Sequence, residues 1–312
     1  MLLHELDDFR DLIEVTARAH AIDPGLVEKD YWIMHGLWGL AQLGFTFELK
    51  GGTSLSKGYR LIDRFSEDID ILIEPEDSGL PTGRNQNKPA HVAARRSFYD
   101  SLPERLAIPG FLKAVRDEEF DDEKMRSAGI RLLYPEVNPL PEGVKTGVLL
   151  EAGFDQVAPN RPVLISSWAY DQAIASGIPD LIDNRAVDIP CYHPGYTLVE
   201  KLQTISTKYR KQDVDGAMPR NFLRHYYDVY CLLAADEVLG FIGTDEYYAH
   251  KERRFPASDD PDISRNPAFL LKDEKVRARF AESYAQTRAL YYREQPGLAL
   301  ILARIAEHRG RL

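Results

Sequence analysis

Residues 50–74 read KGGTSLSKGYRLIDRFSEDIDILIE and join a Gly-Gly-Thr-Ser turn to an Asp-Ile-Asp pair on an apolar run. Glycines at 51 and 52 permit positive φ and leave no side chain between the backbone and a ligand. Their amides, the N-terminus of a following helix and the Ser54 hydroxyl can therefore face phosphate oxygens. The glycine pair alone is a weak signal, because Gly-Gly also ends strands in turns that bind nothing, and neither GxxxxGK[ST] nor GxGxxG is present.

The acidic pair strengthens this interpretation. Residues two apart on a strand point to the same face, so Asp68 and Asp70 converge while the intervening isoleucines enter the core. Two converging carboxylates repel each other unless a cation lies between them, and Mg²⁺, or Mn²⁺ in its place, suits such oxygen ligands and bridges to phosphates. Glu151, after the apolar run GVLL, is a candidate third metal ligand. The alternative is that all three acids simply face water.

Composition limits the classes of protein to consider. The chain has 312 residues, of which 44% are hydrophobic and 28% charged, as in ordinary globular proteins. A net charge of −10 argues against broad adhesion to nucleic acid but leaves room for a local basic groove. The N-terminal sequence MLLHELDDFRDLIE has acids where a signal peptide needs basic residues, and no long apolar run follows, so we expect a cytoplasmic protein without membrane contact.

Hydrophobic periodicity predicts an α+β fold in two parts, with domains at residues 1–190 and 191–312. The first part has predicted helices at 2–20, 25–43, 55–62 and 90–106, and strands at 45–49, 69–73, 130–134, 144–154, 163–167 and 186–189. The strands at 130–134 and 144–154 are expected to pair as a hairpin, and residues 75–89 to form a mobile loop. The second part is helical, with predicted helices at 195–210, 219–234, 237–251, 272–292 and 297–309.

Five motifs give the chain a resemblance to a known family. They are EKDYW at 28–32, KGGTSLSK at 50–57, RFSEDIDI at 64–71, EKL at 200–202 and RHYYDVYCLL at 224–233. In this order they resemble the AbiEii/AbiGii toxin family, and the combination of KGGTSLSK with RFSEDID is the most specific part. The last motif departs from the family, since many members have Asp where this chain has His225.

The resemblance implies a DNA-polymerase-β-like nucleotidyltransferase domain, with a small mixed sheet flanked by helices, followed by a helical C-terminal domain. It also implies a toxin of type IV toxin–antitoxin or abortive-infection systems. Such a toxin would transfer a nucleotide from a nucleoside triphosphate to an acceptor hydroxyl, the tRNA 3′ end in the leading hypothesis, and so block translation. A cognate antitoxin encoded nearby would be a further partner.

Motif matching also implies the site residues. We expect Asp68, Asp70, Lys201 and Asp228 to be catalytic, with Asp68, Asp70 and Glu151 as metal ligands. The nucleotide-binding residues predicted are Gly51, Gly52, Thr53, Ser54, Lys57, Arg64 and Lys201. Arg224, four residues before Asp228 on one helix face, is a further candidate. Spacing alone would make Lys201 and the pair 224 and 228 ordinary helix-surface charges, so the resemblance carries these assignments.

Two other functions stay open from the residues themselves. The chain could bind nucleotide without turnover and act through a protein partner, as a regulatory or inactivated member of the family. It could also be a metal-dependent glycosyltransferase that uses a nucleotide sugar, since such enzymes also bind their metal ion through an Asp-x-Asp motif. The glycine turn upstream of the acids favours the nucleotidyltransferase.

Overall fold

A computed structural model describes residues 1–73, 80, 87–154, 159–215 and 222–312, without the side chains of 213–215. Most of the predicted loop at 75–89 and the start of the predicted helix at 219–234 lie outside these residues. The chain forms two compact units, Met1–Gly58 with Phe65–Tyr192, and Tyr59–Arg64 with His193–Leu312. The second unit thus includes a short segment from within the motif-bearing stretch, whereas the predicted domains were contiguous.

Seven strands and twelve α-helices occur in the described ranges. The strands are β1 (Phe47–Lys50), β2 (Asp68–Ile73), β3 (Lys113–Asp117), β4 (Ser127–Leu133), β5 (Val148–Gly153), β6 (Asn160–Ile165) and β7 (Ala186–Tyr192). The helices of the first unit are α1 (Phe9–His20), α2 (Pro24–Gln42), α3 (Gly51–Thr53), α4 (Pro89–Arg105) and α5 (Trp168–Ala175). Those of the second are α6 (Pro194–Asp215), α7 (Arg224–Leu232), α8 (Asp236–Phe241), α9 (Asp245–Arg254), α10 (Pro267–Leu270), α11 (Glu274–Ala285) and α12 (Leu298–His308).

The seven strands form one mixed sheet in the first unit, in the order β3-β4-β5-β2-β1-β7-β6. β2 pairs antiparallel with β1 and parallel with β5, and β1 pairs parallel with β7. The other pairs are antiparallel, including the predicted hairpin of β4 and β5. A mixed sheet with helices, followed by a helical unit, confirms the α+β class.

Helix α2 shows how local sequence fixes an element. The Asp23 side chain accepts a hydrogen bond from the Gly25 amide at 2.8 Å, and Pro24 occupies the first turn, where its missing N–H costs nothing. The predicted helix after the Asp-Pro-Gly turn is therefore confirmed. α2 packs against α1, α5 and strands of the sheet, and is buried on almost every face. It is the central helix of the first unit.

In the second unit, the helix predicted at 237–251 is divided into α8 and α9, the one predicted at 272–292 ends with α11, and α10 was not predicted. Three elements of the first unit also differ from the sequence predictions. β3 was missed because Lys113–Asp117 is a charged, partly exposed strand at the sheet edge, where charge protects against further pairing. α5 was also missed, since eight residues are too few for a clear helical period. The helix predicted at 55–62 is instead a π-helical turn, Ser54–Gly58, and the residues after it belong to the second unit.

The second unit is built around α6, which packs against α7, α8, α9 and α10. Its core is aromatic: the Phe222 ring centroid lies 5.7 Å from that of Tyr226 and 5.6 Å from that of Phe280. Edge-to-face contacts of this kind add to the stabilisation from apolar burial. None of the helices in the described ranges is long and apolar enough to cross a membrane.

Candidate active site

The glycine turn has a strict backbone requirement. Gly51 follows β1 directly and has φ of +71°, a left-handed conformation that glycine adopts without strain. A Cβ at this position would lie 2.8 Å from the Asp70 Cγ and would overlap one carboxylate oxygen. The absence of a side chain at Gly51 therefore allows the Asp70 carboxylate to lie against the turn. The two halves of the motif, the glycine turn and the acidic strand, therefore meet here as the sequence predicts.

The acidic pair lies on one face of β2, as the alternation predicts. Asp68 and Asp70 are half-buried, whereas Ile69 and Ile71 are 0% and 1% exposed. In the antiparallel register with β1, Asp70 lies opposite Lys50, the last residue before the turn. Both carboxylates therefore face away from the core, at the end of the strand that adjoins the glycine turn.

Glu151 occupies the neighbouring strand at the same level. In the parallel register of β2 and β5, Glu151 pairs with Asp70, and it is half-buried between the buried Leu150 and Ala152. Neighbouring residues in a ladder project on the same side of the sheet. Three carboxylates are the oxygen donor set that Mg²⁺ prefers, so the residues fit this ion chemically. No group of three or more His, Cys, Asp or Glu in the described ranges has metal-binding geometry, and Glu151 stays a predicted ligand.

Two hydroxyl side chains of the turn point inward. Thr53 is 1% exposed, and its hydroxyl donates to the Asp68 carbonyl, which ties the turn to the start of β2. Ser54 is 0% exposed, and its hydroxyl lies near the Cys191 thiol, whose pKa burial raises to about 12. The prediction that Ser54 donates to a phosphate requires its side chain to leave this position. The backbone amides of the turn could bind a phosphate without such a side-chain movement.

Lys57 has an interior partner. Its ammonium group forms an ion pair with Asp30 and lies 4.1 Å from the centroid of the Trp168 ring. Asp30 is 1% exposed and also accepts a hydrogen bond from the Trp168 amide at 3.0 Å. Burial raises the pKa of Asp30, and the charge of Lys57 opposes that rise. Lys57 thus links the π-helical turn to α2, and its predicted contact with nucleotide stays a prediction.

The EKD triplet at 28–30 is buried throughout, with each of its side chains 1% exposed. Glu28 accepts hydrogen bonds from the amides of Val137 and Asn138 at 2.9 and 2.8 Å. Lys29 donates to the Lys145 carbonyl at 2.6 Å, just before β5. Burial lowers the pKa of Lys29, and the negative charges of residues 67 and 68 oppose that change. Sequence reasoning noted this motif without assigning it a role; three consecutive ionisable residues on an otherwise apolar helix were the available signal.

The second unit contains its own charged centre. Asp228 is 0% exposed and accepts two hydrogen bonds from Arg64, from Nε to Oδ1 and from Nη2 to Oδ2, both at 2.7 Å. Lys201 Nζ lies 3.1 Å from Asp228 Oδ2. Burial by itself would raise the pKa of Asp228, but the charges of Arg64 and Lys201 outweigh it and hold the pKa below its usual value. The carboxylate is therefore ionised between two cations.

The predicted residues thus gather into two groups, each within one unit. Gly51, Asp68, Asp70 and Glu151 come together on the sheet, and Arg64, Lys201 and Asp228 come together among the helices. Sequence reasoning named Arg64 but missed that its partner is Asp228, because the two are 164 residues apart. Arg224 is half-buried at the start of α7.

One family model matches the chain. The model of the nucleotidyl transferase AbiEii toxin of type IV toxin–antitoxin systems covers residues 33–303, which is most of the sequence. The match includes the glycine turn, the acidic strand and both helical motifs. No curated protein and no solved structure matches the chain.

Proposed function

Because the chain belongs to the AbiEii family of nucleotidyl transferase toxins, we propose that it transfers a nucleotide from a nucleoside triphosphate to the 3′ end of tRNA and so blocks translation. The observation that carries this proposal is the packing of the Asp70 carboxylate against Gly51 on a strand that also carries Asp68. We also propose that the first unit has a DNA-polymerase-β-like nucleotidyltransferase fold. Family membership favours this activity over nucleotide binding without turnover and over glycosyl transfer.

The acids would hold a divalent cation, Mg²⁺ or Mn²⁺. Asp68 and Asp70 would be its ligands, with Glu151 as the third, since their carboxylate oxygens fit the preferences of these ions. When bound, such an ion supplies charge neutralisation to the triphosphate and stabilises the leaving pyrophosphate.

The remaining steps fall to the chain's own groups. The amides of the turn at Gly51 and Gly52 bind the β- and γ-phosphates, because a helical segment starts there and no side chain obstructs it. The acceptor hydroxyl attacks the α-phosphorus, the new P–O bond forms, and the bond to pyrophosphate breaks. A carboxylate among Asp68, Asp70 and Glu151 accepts the hydroxyl proton.

Lys201 and Asp228 have distinct parts in this proposal. Lys201 contacts a nucleotide phosphate as a point charge, as the family pattern implies. Asp228 holds the ammonium group of Lys201 at 3.1 Å while Arg64 neutralises the second carboxylate oxygen. Asp228 is thus a positioning residue for Lys201. In the cell, a type IV system also implies a cognate antitoxin.

The experiment that tests the proposal is label transfer. The purified protein is incubated with each of the four α-³²P-labelled nucleoside triphosphates, Mg²⁺ or Mn²⁺, and total RNA. We expect labelled tRNA with at least one nucleotide, and its loss in Asp68→Asn. Asp7→Asn, a change of an exposed acid in the same unit, is the matched control and should retain activity. No labelled RNA with any nucleotide, or full activity of Asp68→Asn, would refute the proposal.

A further inference from the structure

The segment Tyr59–Arg64 belongs to the second unit and follows the glycine turn directly in the chain. All six of its residues are described, and none of them lies in a helix or an extended strand. Arg64 forms an isolated antiparallel β-bridge with Tyr291. A segment of this kind has to satisfy its buried backbone groups through other elements. The residues that supply those contacts therefore determine where the Arg64 side chain lies.

Helix α7 contacts the segment through two consecutive residues. The Tyr227 hydroxyl accepts a hydrogen bond from the Asp63 amide at 3.1 Å, and Tyr227 is 3% exposed. The next residue of the helix, Asp228, accepts the two hydrogen bonds of the Arg64 side chain. Consecutive residues of α7 thus hold consecutive residues of the segment, the first through its backbone and the second through its side chain.

Residues 291 and 292 hold the same segment through its backbone. The β-bridge joins Tyr291 to Arg64. The Tyr292 amide donates to the Asp63 carbonyl at 3.2 Å, and the Tyr292 hydroxyl donates to the Ile62 carbonyl at 3.0 Å. Ile62 is 1% exposed, so its carbonyl needs a partner within the protein. The two residues thus fix the chain at three consecutive positions, 62, 63 and 64.

A buried ring contact links these residues to α7. The Tyr227 and Tyr291 rings meet edge to face with their centroids 4.8 Å apart, and Tyr291 is 5% exposed. Aromatic pairs favour this geometry, which adds to the stabilisation from apolar burial. Tyr227, Tyr291 and Tyr292, which we call the tyrosine cluster, therefore contact one another and residues 62–64 as one packed group.

The position of Arg64 in turn affects Lys201. Arg64 binds both carboxylate oxygens of Asp228, and Lys201 Nζ lies 3.1 Å from Oδ2 of the same carboxylate. The side chains of Arg64 and Asp228 are 5% and 0% exposed, whereas that of Lys201 is 12% exposed. Lys201 is thus the most accessible of the three to a ligand. A shift of Arg64 would rotate the carboxylate and displace the ammonium group of Lys201.

From these contacts we propose that Tyr227 and Tyr292 are positioning residues for the binding of nucleoside triphosphate. They hold residues 62–64, Arg64 orients the Asp228 carboxylate, and the carboxylate places Lys201 against a phosphate. This role deepens the proposed function and rests on it for the contact between Lys201 and the nucleotide. Residues 291 and 292 lie outside the five sequence motifs and in this way contribute to the site.

Calorimetry of the full chain with ATP, GTP, CTP and UTP in turn, each with Mg²⁺, measures affinity without turnover. Tyr227→Phe leaves the Asp63 amide without its acceptor, and Tyr292→Phe leaves the Ile62 carbonyl without its donor. Each variant should weaken triphosphate binding about threefold, and the double variant about tenfold, within the range that single hydrogen bonds contribute. Tyr248→Phe makes the same change at a tyrosine that is 56% exposed and should bind like wild type.

A double-mutant cycle with Lys201 separates positioning from a general effect on folding. Lys201→Met removes the ammonium group, so Tyr227→Phe in that background should weaken triphosphate binding no further. A merely structural loss would lower the affinity by the same factor in both backgrounds. If Lys201→Met binds too weakly to measure, labelling of Lys201 by an acylating reagent, followed by mass spectrometry, replaces the cycle. Tyr227→Phe should then change the labelling rate, and Tyr248→Phe should not.

The transfer assay gives a second measure of positioning. Because Lys201 is assigned to nucleotide binding, Tyr227→Phe and Tyr292→Phe should raise KM for triphosphate and leave kcat nearly unchanged. Thermal unfolding of each variant identifies any that does not fold, and the other tyrosine variant then carries the test.

These outcomes are distinguishable from a failure of the proposed function. Weaker triphosphate binding that disappears as a separate effect in Lys201→Met supports the positioning role even if no label reaches RNA. Equal binding by Tyr227→Phe, Tyr292→Phe and Tyr248→Phe overturns it. An equal loss in both Lys201 backgrounds, an unchanged labelling rate, or no binding of any triphosphate by wild type would do the same.

Discussion

Asp228 carries its negative charge in a fully buried place, between Arg64 and Lys201. Each partner offsets part of the cost of removing the carboxylate from water, and the two hydrogen bonds from Arg64 satisfy both oxygens. The family pattern predicts that Asp228 is catalytic. Its surroundings indicate a structural role within the second unit, since without it two cations would face each other in the interior.

Asp228→Asn should therefore destabilise the protein strongly. The variant keeps the shape of the side chain but leaves the buried Arg64 without its counter-charge, which costs roughly 3–5 kcal/mol in comparable buried pairs. Urea denaturation of the variant and wild type measures the difference. The double variant Arg64→Met with Asp228→Asn should lose less than the two single changes together. A loss below about 1 kcal/mol in Asp228→Asn would contradict a buried ion pair.

Gly51 offers a test of the contact between the turn and the acid. Gly51→Ala and Gly44→Ala both place a side chain at positive φ, which costs each variant roughly 1–2 kcal/mol. A Cβ at Gly44 meets nothing within 4 Å, whereas one at Gly51 overlaps the Asp70 carboxylate. We expect Gly51→Ala to lose about 100-fold in label transfer, as displacements near 1 Å do in active sites, while Gly44→Ala stays within a few-fold of wild type. Equal activity of the two variants would contradict the contact.

At the scale of elements, α2 anchors the turn that carries the proposed phosphate-binding amides. Its EKD triplet holds the segment before β5 through Lys29, the segment after β4 through Glu28, and the π-helical turn through Asp30. These contacts fix β5, which lies next to β2, the strand β4 that pairs with β5, and the turn between β1 and β2. We infer that the triplet positions the acidic strand, although none of its side chains is exposed.

Lys57→Met separates a structural role of Lys57 from a nucleotide contact. The change leaves Asp30 buried without its partner, so it should lower stability by roughly 3 kcal/mol or more and leave the affinity for nucleoside triphosphate nearly unchanged. Asp30→Asn with Lys57→Met should recover part of the loss, with a coupling above about 1 kcal/mol. Lys50→Met, at the other end of the same motif, is the control.

Calorimetric titration with triphosphate and denaturation of the same samples give both quantities. A large loss of triphosphate affinity in Lys57→Met with unchanged stability would show that Lys57 serves the ligand and not the fold.

Helices and strands could be predicted from the sequence where the pattern that determines them lies in neighbouring residues. The Asp-x-Asp strand alternates with period two, and the Asp-Pro-Gly turn sets the start of α2, so both were assigned correctly. β3 was not assigned, because its residues are charged and only pairing with β4 makes them a strand. The π-helical turn also escaped prediction, since five residues show no clear periodicity; in the structure this turn contains the buried Ser54 and the Lys57 that pairs with Asp30.

At the scale of the whole molecule, the candidate site was predictable only in part. The glycine turn and acids were found from neighbouring residues, whereas Arg64 and Asp228 are joined across 164 residues and no local rule relates them. The net charge of −10 likewise gives no indication that the cations Lys201, Lys208, Arg64 and Arg224 lie around His225. Average composition reports neither the position nor the sign of a local field, which depends on how helices bring distant residues together.

Stability should also fall in mild acid because of buried histidine. His35 is 0% exposed, donates to the Pro109 carbonyl at 2.7 Å and accepts from Asn184 at 2.9 Å. Burial lowers its pKa to about 4; the hydrogen bond to Pro109 and the charge of Glu5 oppose this change, and the charge of His4 adds to it. The unfolded chain takes up this proton near pH 6.5, so stability present above pH 6.5 is lost as pH falls toward 4, on the order of 3 kcal/mol.

Urea denaturation at several pH values between those limits measures this loss. His35→Asn keeps a polar side chain without the titration and should show a flatter dependence, although His4, whose pKa burial also lowers, contributes in both proteins. The same pH dependence in wild type and His35→Asn would contradict the assignment to His35.

The most direct measurement of the central claim counts both products of one reaction. Pyrophosphate released and nucleotide added to RNA are quantified in the same sample, for wild type and for Asp70→Asn. If the acids beside Gly51 support nucleotidyl transfer, the reaction releases one pyrophosphate for each nucleotide added. Asp70→Asn should then form neither product. Pyrophosphate without labelled RNA, or undiminished transfer by Asp70→Asn, would contradict it.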